Sequence, residues 1–286
     1  MRDRVELNGE LVSASDAMVS VFDVGLLYGA GLFETMRVVR GVAIDLERHL
    51  QRLQRSADSL GWTVPTHELL EERVARWCRA SELALGHVRL TVTLGSIAGR
   101  SKLDPADPVT IVFGGPLPDS LTESKVSGIT AITVTLQPGG SAGHKSLAYW
   151  PWWRAKIEAT RAGVGEAILI SPGEHVIEGA MSNVFVRHSG QWLAPMSGAA
   201  LPGVTRSRVI EQLSRSGESV DESELHREAL STAQEIFVTQ STAGVLPVVS
   251  IDGRAIGDGR PGPATRAASE AYEHWVEEWR RAGDRG

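Results

Sequence analysis

The 286-residue sequence has little cysteine, no excess of positive charge and no long apolar run. Its single cysteine, Cys78, excludes a disulfide within the chain and favours a reducing compartment. The formal net charge of −6 argues against a surface for nucleic acid or anionic lipid. No stretch is apolar enough to span a bilayer, and the polar start MRDRVELNGELV lacks the apolar centre of a signal peptide. We therefore expect a cytoplasmic protein with neither a nucleic-acid nor a membrane partner.

The composition that remains is that of an ordinary globular protein, with 42% apolar and 22% charged residues. The length suits one large domain or two modest ones. GGPLPDS, residues 114–120, is rich in Pro and Gly and is the best candidate for a boundary. We predict a small first domain over 1–115, a linker over 116–121 and a larger second domain over 122–286.

Apolar periodicity predicts the main helices and strands. Asn8-Gly9 indicates a hairpin within residues 1–13. Residues 45–60 carry apolar side chains at spacings of three and four, which is typical of an amphipathic helix. A second helix at 66–83 is expected to bury Leu69 and Leu70. Further helices are predicted at 151–162, within 201–217 and at 263–281, and strands at 32–39, 87–94, 109–113, 129–136, 165–171, 175–186, 191–195 and within 234–248.

Lys145 and Glu178 suggest chemistry on an aldehyde cofactor. A lysine amine pushed into an apolar pocket loses its proton more easily and can form a Schiff base. A carboxylate 33 positions later could keep the ring nitrogen of pyridoxal phosphate protonated, which makes that ring an electron sink. Either residue alone is more often a solvated surface charge, so the interpretation depends on the rest of the chain.

Three further segments offer groups that suit a phosphate. Val204 and Thr205 stand at a predicted helix start, where free N–H groups and the helix dipole attract an anion, although Thr is also a common N-cap. Ser241 and Thr242 supply hydroxyls in a small loop between strands. Arg52 lies at the edge of the apolar stripe of its helix, from which a guanidinium can reach inward.

The segment before the first predicted helix has two interpretations. Tyr28, Phe33 and Arg37 belong either to a buried strand with a permissive glycine-rich loop or to the wall of a pocket. Arg100 lies in the loop GSIAGRSKLDPADP, where a loop-tip charge is slightly favoured over a contact with a substrate carboxylate. Cys78, in the helical run RVARWCRA, is expected to be a small core residue rather than a nucleophile.

An ordered set of motifs covers nearly the whole chain. It consists of LLYGAGLFETMRV, HLQRLQRSA with Arg52, HKSLAYW with Lys145, VIEGAMSNVF with Glu178 and Asn183, LPGVTR with Thr205, TQSTAGVLPV and GDGRPGPATR. In this order the motifs resemble the class IV, fold type IV, pyridoxal-phosphate enzymes. That family includes branched-chain and D-amino-acid aminotransferases, R-selective amine transaminases and 4-amino-4-deoxychorismate lyases.

The resemblance implies a fold, an assembly and a set of site residues. The fold class is α/β (α+β), with a smaller N-terminal α/β domain, a larger C-terminal domain of pseudo-barrel type and pyridoxal 5′-phosphate at their interface. A homodimer is implied, in which the Gly-rich N-terminal loop of one subunit closes the pocket of the other. Lys145 becomes the Schiff-base residue and the proton carrier between the substrate Cα and the cofactor C4′. The implied cofactor-binding residues are Arg52, Lys145, Tyr149, Glu178, Asn183, Val204, Thr205, Ser241 and Thr242, the implied substrate-binding residues are Tyr28, Phe33, Arg37, Arg100 and Ala243, and no metal is expected.

The expected reaction is transfer of an amino group from an amino acid to a 2-oxo acid. D-amino acids with small or apolar side chains are favoured, with R-amines also considered, because the loop of Arg100 resembles one that binds the substrate carboxylate in D-selective members. The alternative is 4-amino-4-deoxychorismate lyase, which gives 4-aminobenzoate and pyruvate, since GLLYGAGLFETMRV and STAGVLPV also fit that subgroup. A branched-chain L-amino-acid aminotransferase is the third possibility. Ala148, Met181 and the run Trp150-Pro151-Trp152-Trp153 depart from the common pattern.

Overall fold

The computed structural model describes residues 4–98 and 105–283, with the side chains of 282 and 283 left out. The described residues form two compact units. The first takes its residues from 1–117 and 144–149, and the second from 118–143 and 150–286. Within this described part, no helix has both the length and the apolar character needed to cross a membrane.

The first unit is built on an antiparallel sheet whose described strands run in the order β2-β1-β6-β5-β3-β4. In chain order its elements are β1 (Arg4–Leu7), β2 (Glu10–Ser13), α1 (Val24–Tyr28), β3 (Gly31–Val39), β4 (Val42–Ala43), α2 (Leu46–Leu60), α3 (His67–Ser81), β5 (Leu85–Thr93) and β6 (Thr110–Pro116). Helices α2 and α3 pack with this sheet around one apolar cluster.

Local sequence explains most of these elements. The predicted hairpin is confirmed, because Asn8 (φ 53°) and Gly9 (φ 103°) adopt the positive dihedrals that a tight turn between β1 and β2 requires. The apolar stripe of α2 is also confirmed by its buried leucines. The prediction for α3 was wrong at Leu69, which is 37% exposed while Leu70 is buried. Successive helical residues point about 100° apart, so a narrow contact buries only one of the pair.

The second unit contains a larger mixed sheet in the order β12-β11-β10-β13-β14-β7-β8-β9, with β15 beside β14. Its elements are α4 (Ser120–Ser127), β7 (Ile129–Thr135), α5 (Trp150–Arg161), β8 (Glu166–Ile170), β9 (Val176–Gly179), β10 (Asn183–His188), β11 (Gln191–Pro195), α6 (Val204–Arg215), β12 (Val220–Ser223), α7 (Glu228–Ser231), β13 (Glu235–Gln240), β14 (Gly244–Ile251), β15 (Arg254–Ala255) and α8 (Pro263–Gly283). Strand β7 is parallel to both β8 and β14.

The chain path shows that this sheet curls. Strands β9 and β10 are five steps apart in the sheet order, which is about 24 Å in a flat sheet at a strand spacing of roughly 4.8 Å. Only residues 180–182 connect them, and the four Cα–Cα steps from Gly179 to Asn183 span at most about 15 Å. The sheet must therefore bend until β9 approaches β10 and β11, as their contacts show. The expected pseudo-barrel type of fold is confirmed.

Several short elements differ from the prediction. Helix α1 lies in the stretch predicted as a glycine-rich loop, and α4, α7 and β12 were not predicted at all. Helix α4 has no buried residue and almost no amphipathic pattern. Such an element carries little apolar signal, because neighbouring structure rather than its own sequence stabilises it.

Candidate active site

The segment that carries Lys145 extends the sheet of the first unit. The backbone N–H of Phe33 donates to the Lys145 carbonyl at 2.8 Å, and the N–H of Leu147 donates to the Gly31 carbonyl at 2.9 Å. Together with the bridge between Leu32 and Ser146, these bonds attach residues 145–147 to β3. Lys145 is therefore held by backbone pairing rather than by a flexible loop.

Aromatic rings surround the Lys145 amine. Its Nζ lies 4.6 Å from the ring centroid of Phe33 and 5.9 Å from that of Tyr149. The two rings meet edge to face with centroids 5.3 Å apart. The predicted residues Lys145, Phe33 and Tyr149 are thus brought together in the first unit.

Arg89 joins this group and was not predicted from the sequence. Its guanidinium carbon lies 3.7 Å from the Phe33 ring centroid, and its Nε donates to Thr91 Oγ1 at 3.3 Å. Burial lowers the pKa of Arg89, and the nearby Tyr149 and Glu34 partly offset this effect. A signal was available, since Arg89 stands among alternating apolar residues in HVRLTVTL. A cation over the ring that also lies near the Lys145 amine offers a contact for a carboxylate.

A buried ion cluster lies on the opposite face of β3. Glu34 Oε1 accepts from Arg52 Nε at 2.9 Å, and Glu34 Oε2 accepts from Arg52 Nη2 at 2.5 Å and from His49 Nδ1 at 2.7 Å. All three side chains are less than 5% exposed. Burial alone would raise the pKa of Glu34, but Arg52 and His49 outweigh it and lower that pKa to about 2. Burial lowers the pKa of His49, and the adjacent Glu34 carboxylate partly offsets this effect.

This cluster explains how Arg52 is placed. The prediction that Arg52 reaches inward from the edge of the apolar stripe is confirmed by its 4% exposure. Its bidentate pairing with Glu34 fixes the plane of the guanidinium. Glu34 was missed, although a charge between Leu32 and Met36 on the core face of a strand is itself a sign of a buried pair. The phosphate contact of Arg52 stays a prediction.

The other predicted substrate residues are placed differently from one another. Arg37 is half-buried on β3 and shares the face of Phe33, because alternate strand residues point the same way. Tyr28 ends α1 with most of its side chain exposed. Arg100 lies outside the described residues. The structure therefore brings Phe33 and Arg37 onto one face of β3, while Tyr28 stands on a separate, exposed segment.

In the second unit, Glu178 is a buried carboxylate with N–H donors on both oxygens. Oε1 accepts from the indole Nε1 of Trp152 at 2.8 Å. Oε2 accepts from the backbone N–H of Leu201 at 2.9 Å and, at a longer 3.4 Å, from Nδ2 of Asn183. The same Asn183 amide donates to the Leu201 carbonyl at 2.9 Å. Two predicted cofactor residues, Glu178 and Asn183, are thus in direct contact.

The predicted phosphate groups of the second unit also converge. Thr205 Oγ1 donates to Ser241 Oγ at 3.4 Å, which places the start of α6 beside the turn between β13 and β14. Gly203 is the N-cap of α6, and a Cβ there would lie 1.9 Å from Oδ1 of Asn183. Only glycine allows this approach. The helix start, with its N–H groups and dipole, and the hydroxyls of the turn together can hold a dianion.

Ala243 was predicted from the sequence as a substrate residue, whereas the role of Trp152 was not. The side chain of Ala243 is fully buried in the core, so only the backbone at this position is suited to contact a ligand. Trp152 was noted only as part of an unusual aromatic run, and its role as a donor to Glu178 was missed. The helical spacing of Trp152, Ala155 and Ala159, the buried residues of α5, was the available signal for an inward-facing indole. No cluster of metal-ligating side chains occurs in the residues that the structure describes.

Known proteins resemble this chain over most of its length. The family model for amino-transferase class IV matches residues 31–251. A putative branched-chain-amino-acid aminotransferase of Methanocaldococcus jannaschii is 37% identical over 96% of this chain and 97% of its own. A D-alanine aminotransferase of Bacillus licheniformis is 30% identical, with 96% of this chain and 97% of its own covered. The solved branched-chain amino acid aminotransferase of Escherichia coli superposes with a TM-score of 0.87 at 28% identity, covering 96% and 94% of the two chains.

Proposed function

The chain belongs to the class IV aminotransferases, and we propose that it moves the amino group of a small or apolar amino acid, preferably a D-amino acid, to a 2-oxo acid. Enzymes of this family use pyridoxal phosphate, so the expected cofactor is confirmed. When bound, the cofactor supplies an aldehyde that accepts the amine and a cationic ring that withdraws electrons from the substrate Cα. The observation that carries the proposal is the buried Glu178 carboxylate. Both of its oxygens accept hydrogen bonds, and a carboxylate held in this way suits a cationic ring nitrogen.

Lys145 is assigned the covalent and proton-transfer roles. Its Nζ would hold the cofactor through the aldehyde carbon, and the free amine would carry the proton between the substrate Cα and the cofactor C4′. The rings of Phe33 and Tyr149 lie near the amine and limit the directions in which it can point. Because residues 145–147 are paired with β3, the amine can act on both carbons from one fixed backbone position.

The phosphate is assigned to the start of α6 and the turn after β13. Val204 and Thr205 offer backbone N–H groups and a hydroxyl, and Ser241 and Thr242 offer two more hydroxyls. Arg52 is assigned the charge contact, with its orientation set by Glu34. These groups hold the cofactor by its phosphate while the ring carries the chemistry.

The substrate carboxylate is assigned to the cationic face of β3 and β5. Arg89 stands over the ring of Phe33, which also lies near the Lys145 amine, and Arg37 shares the face of Phe33 on β3. A guanidinium next to aromatic rings suits a carboxylate while leaving apolar surface for the side chain of the donor. Arg100 stays a further candidate for this contact. The D-alanine aminotransferases among the relatives, which align over nearly their whole length, support small D-amino acids as donors.

A branched-chain L-amino-acid aminotransferase is the second candidate. It is favoured by the 37% identity to the Methanocaldococcus jannaschii protein of that description. Both candidates use the same cofactor and the same lysine, and they differ in the handedness and size of the donor. The lyase reaction on aminodeoxychorismate, which the sequence also allowed, is tested beside them.

We also propose a homodimer formed through the segment before β3. Met18, Val21, Phe22, Leu26 and Tyr28 each expose more than half of their side chains, so one short segment carries several apolar side chains that a partner subunit could cover. Light scattering after size exclusion should give twice the chain mass. Phe22→Asp should give a monomer, whereas Val126→Asp, at another exposed apolar position on α4, should leave the dimer intact. A wild-type monomer would overturn this proposal.

A donor panel tests the reaction. The protein loaded with pyridoxal phosphate is mixed with D- and L-alanine, D- and L-leucine, L-valine and an R-amine, and conversion of the cofactor to its amine form is followed by absorption. Conversion by the D-amino acids supports the first candidate, and conversion by the L-leucine and L-valine arms supports the second. Lys145→Ala should abolish conversion, while Lys125→Ala, which alters a lysine paired with Glu273, should not. No conversion by any donor, with pyruvate released from aminodeoxychorismate, would overturn the transaminase proposal.

A further inference from the structure

We propose that Trp152 is a positioning residue for Glu178. The indole N–H of Trp152 keeps the Glu178 carboxylate charged and aimed at the ring nitrogen of the cofactor. The inference rests on the role proposed above for Glu178. It concerns a tryptophan in the aromatic run Trp150-Pro151-Trp152-Trp153, which departs from the common family pattern.

The geometry separates Trp152 from its neighbours. Trp152 is 6% exposed, and its Nε1 lies 2.8 Å from Oε1 of Glu178. Trp150 and Trp153, on the same helix, are 65% and 51% exposed. Of the three tryptophans in the run, therefore, the one on the buried face of α5 supplies the hydrogen bond. The indole shares the buried face of α5 with Ala155 and Ala159, and its burial restricts its rotation.

The two oxygens of Glu178 are held from different elements. Oε1 is bonded to Trp152 on α5, and Oε2 to the backbone N–H of Leu201 before α6. Asn183 adds a longer bond to Oε2 and ties itself to the Leu201 carbonyl. Bonds to both oxygens fix the carboxylate plane, so rotation of the side chain would break at least one of them.

The indole is chemically suited to this position. It donates through Nε1–H and has no acceptor atom, so it cannot turn a lone pair towards the carboxylate. A hydrogen bond to a carboxylate favours its charged form and lowers its affinity for a proton. When the carboxylate faces a ring nitrogen, the shared proton then stays on the nitrogen. Loss of the indole N–H should therefore move that proton towards Glu178 and weaken the electron-withdrawing ring.

The test compares Trp152→Phe with the matched variant Trp153→Phe. Each protein is loaded with pyridoxal phosphate labelled with ¹⁵N in the ring, and the ¹⁵N chemical shift reports where the proton lies. We expect Trp152→Phe to move the resonance towards that of an unprotonated ring and to slow the amine half-reaction by about tenfold, the effect of one hydrogen bond to a charged group. Donor affinity should change less than twofold. Trp153→Phe should match the wild type in every measurement.

A second measurement takes its main readout from the wild-type protein. In the full-length protein without cofactor, the ¹⁵N-labelled indole N–H of Trp152 should exchange with solvent far more slowly than that of Trp153, and Glu178→Gln should shift its resonance. An indole that exchanges as fast as that of Trp153, or a Trp152→Phe protein with an unchanged ring ¹⁵N shift, would overturn the inference. If Glu178→Ala also leaves the ring shift and the half-reaction unchanged, the proposed role of Glu178 fails as well. If that variant is inactive while Trp152→Phe is normal, only the role of Trp152 fails.

Discussion

Replacing Glu34 by glutamine isolates the buried ion cluster of the first unit. The side chain keeps its shape, but its negative charge is lost and an amide group faces Arg52 and His49. Both partners are almost completely buried, so water cannot take over the contact with the Arg52 guanidinium. Breaking a buried ion pair on one side typically costs about 3–5 kcal/mol. We expect Glu34→Gln to lower the free energy of unfolding by an amount in this range at pH 7.

The pKa of Glu34 gives a second and independent magnitude. A fall from an ordinary 4.5 to about 2, at about 1.4 kcal/mol for each pH unit, corresponds to about 3 kcal/mol of stabilisation. Because the folded-state pKa lies below the unfolded one, this stabilisation is present above pH 4.5 and is lost as the pH falls towards 2. At pH 3 about 1.4 kcal/mol of it should remain. The gap between wild type and variant should therefore shrink by about 2 kcal/mol between pH 7 and pH 3.

Urea unfolding of the protein without cofactor, followed by tryptophan fluorescence and circular dichroism at pH 7, 5 and 3, measures both quantities. Glu47→Gln is the matched control, since Glu47 lies on α2, pairs with His67 and is 64% exposed. Exposed pairs contribute little, so this control should change stability by less than about 1 kcal/mol. A Glu34→Gln protein as stable as the Glu47→Gln control at pH 7, or a gap that does not narrow with acid, would refute the reasoning.

Three further predictions concern the cofactor site and the core. Arg52→Ala should weaken pyridoxal-phosphate binding at least tenfold in an equilibrium titration. The control Arg154→Ala, on the exposed side of α5, should leave the affinity unchanged. Equal affinities for the two variants would contradict the phosphate role of Arg52. Thr205→Val keeps the shape of the α6 start but removes its hydroxyl, so the rate of cofactor loss on dialysis should rise several-fold while the urea midpoint of the cofactor-free protein moves little. Cys78 is 1% exposed, and burial raises the pKa of its thiol to about 12, so at pH 8 it should react with iodoacetamide only after unfolding. Rapid labelling of the native protein would show that the helix α3 opens or that the thiol is accessible.

The sequence was sufficient wherever the signal is local. The Asn8-Gly9 turn and the apolar stripe of α2 follow from dihedral preference and helical period, and both are confirmed. The cofactor and the family followed from motifs in a fixed order along the chain. The same local reading located Lys145, Glu178 and Thr205 as candidates, because each stands in a recognisable motif, although their roles are still predictions.

Only the tertiary structure decided which side chains meet. Glu178 and Trp152 are 26 positions apart, and Glu34 and Arg52 are 18 positions apart, so no local period relates them. Arg89 reaches Phe33 because β3 and β5 pair in one register, and a shift by one residue would turn it to the other face. Buried charges and indoles must find partners, but the sequence does not say which partner is in reach. That choice is made by strand register and helix packing, which place groups distant in the chain within hydrogen-bonding distance.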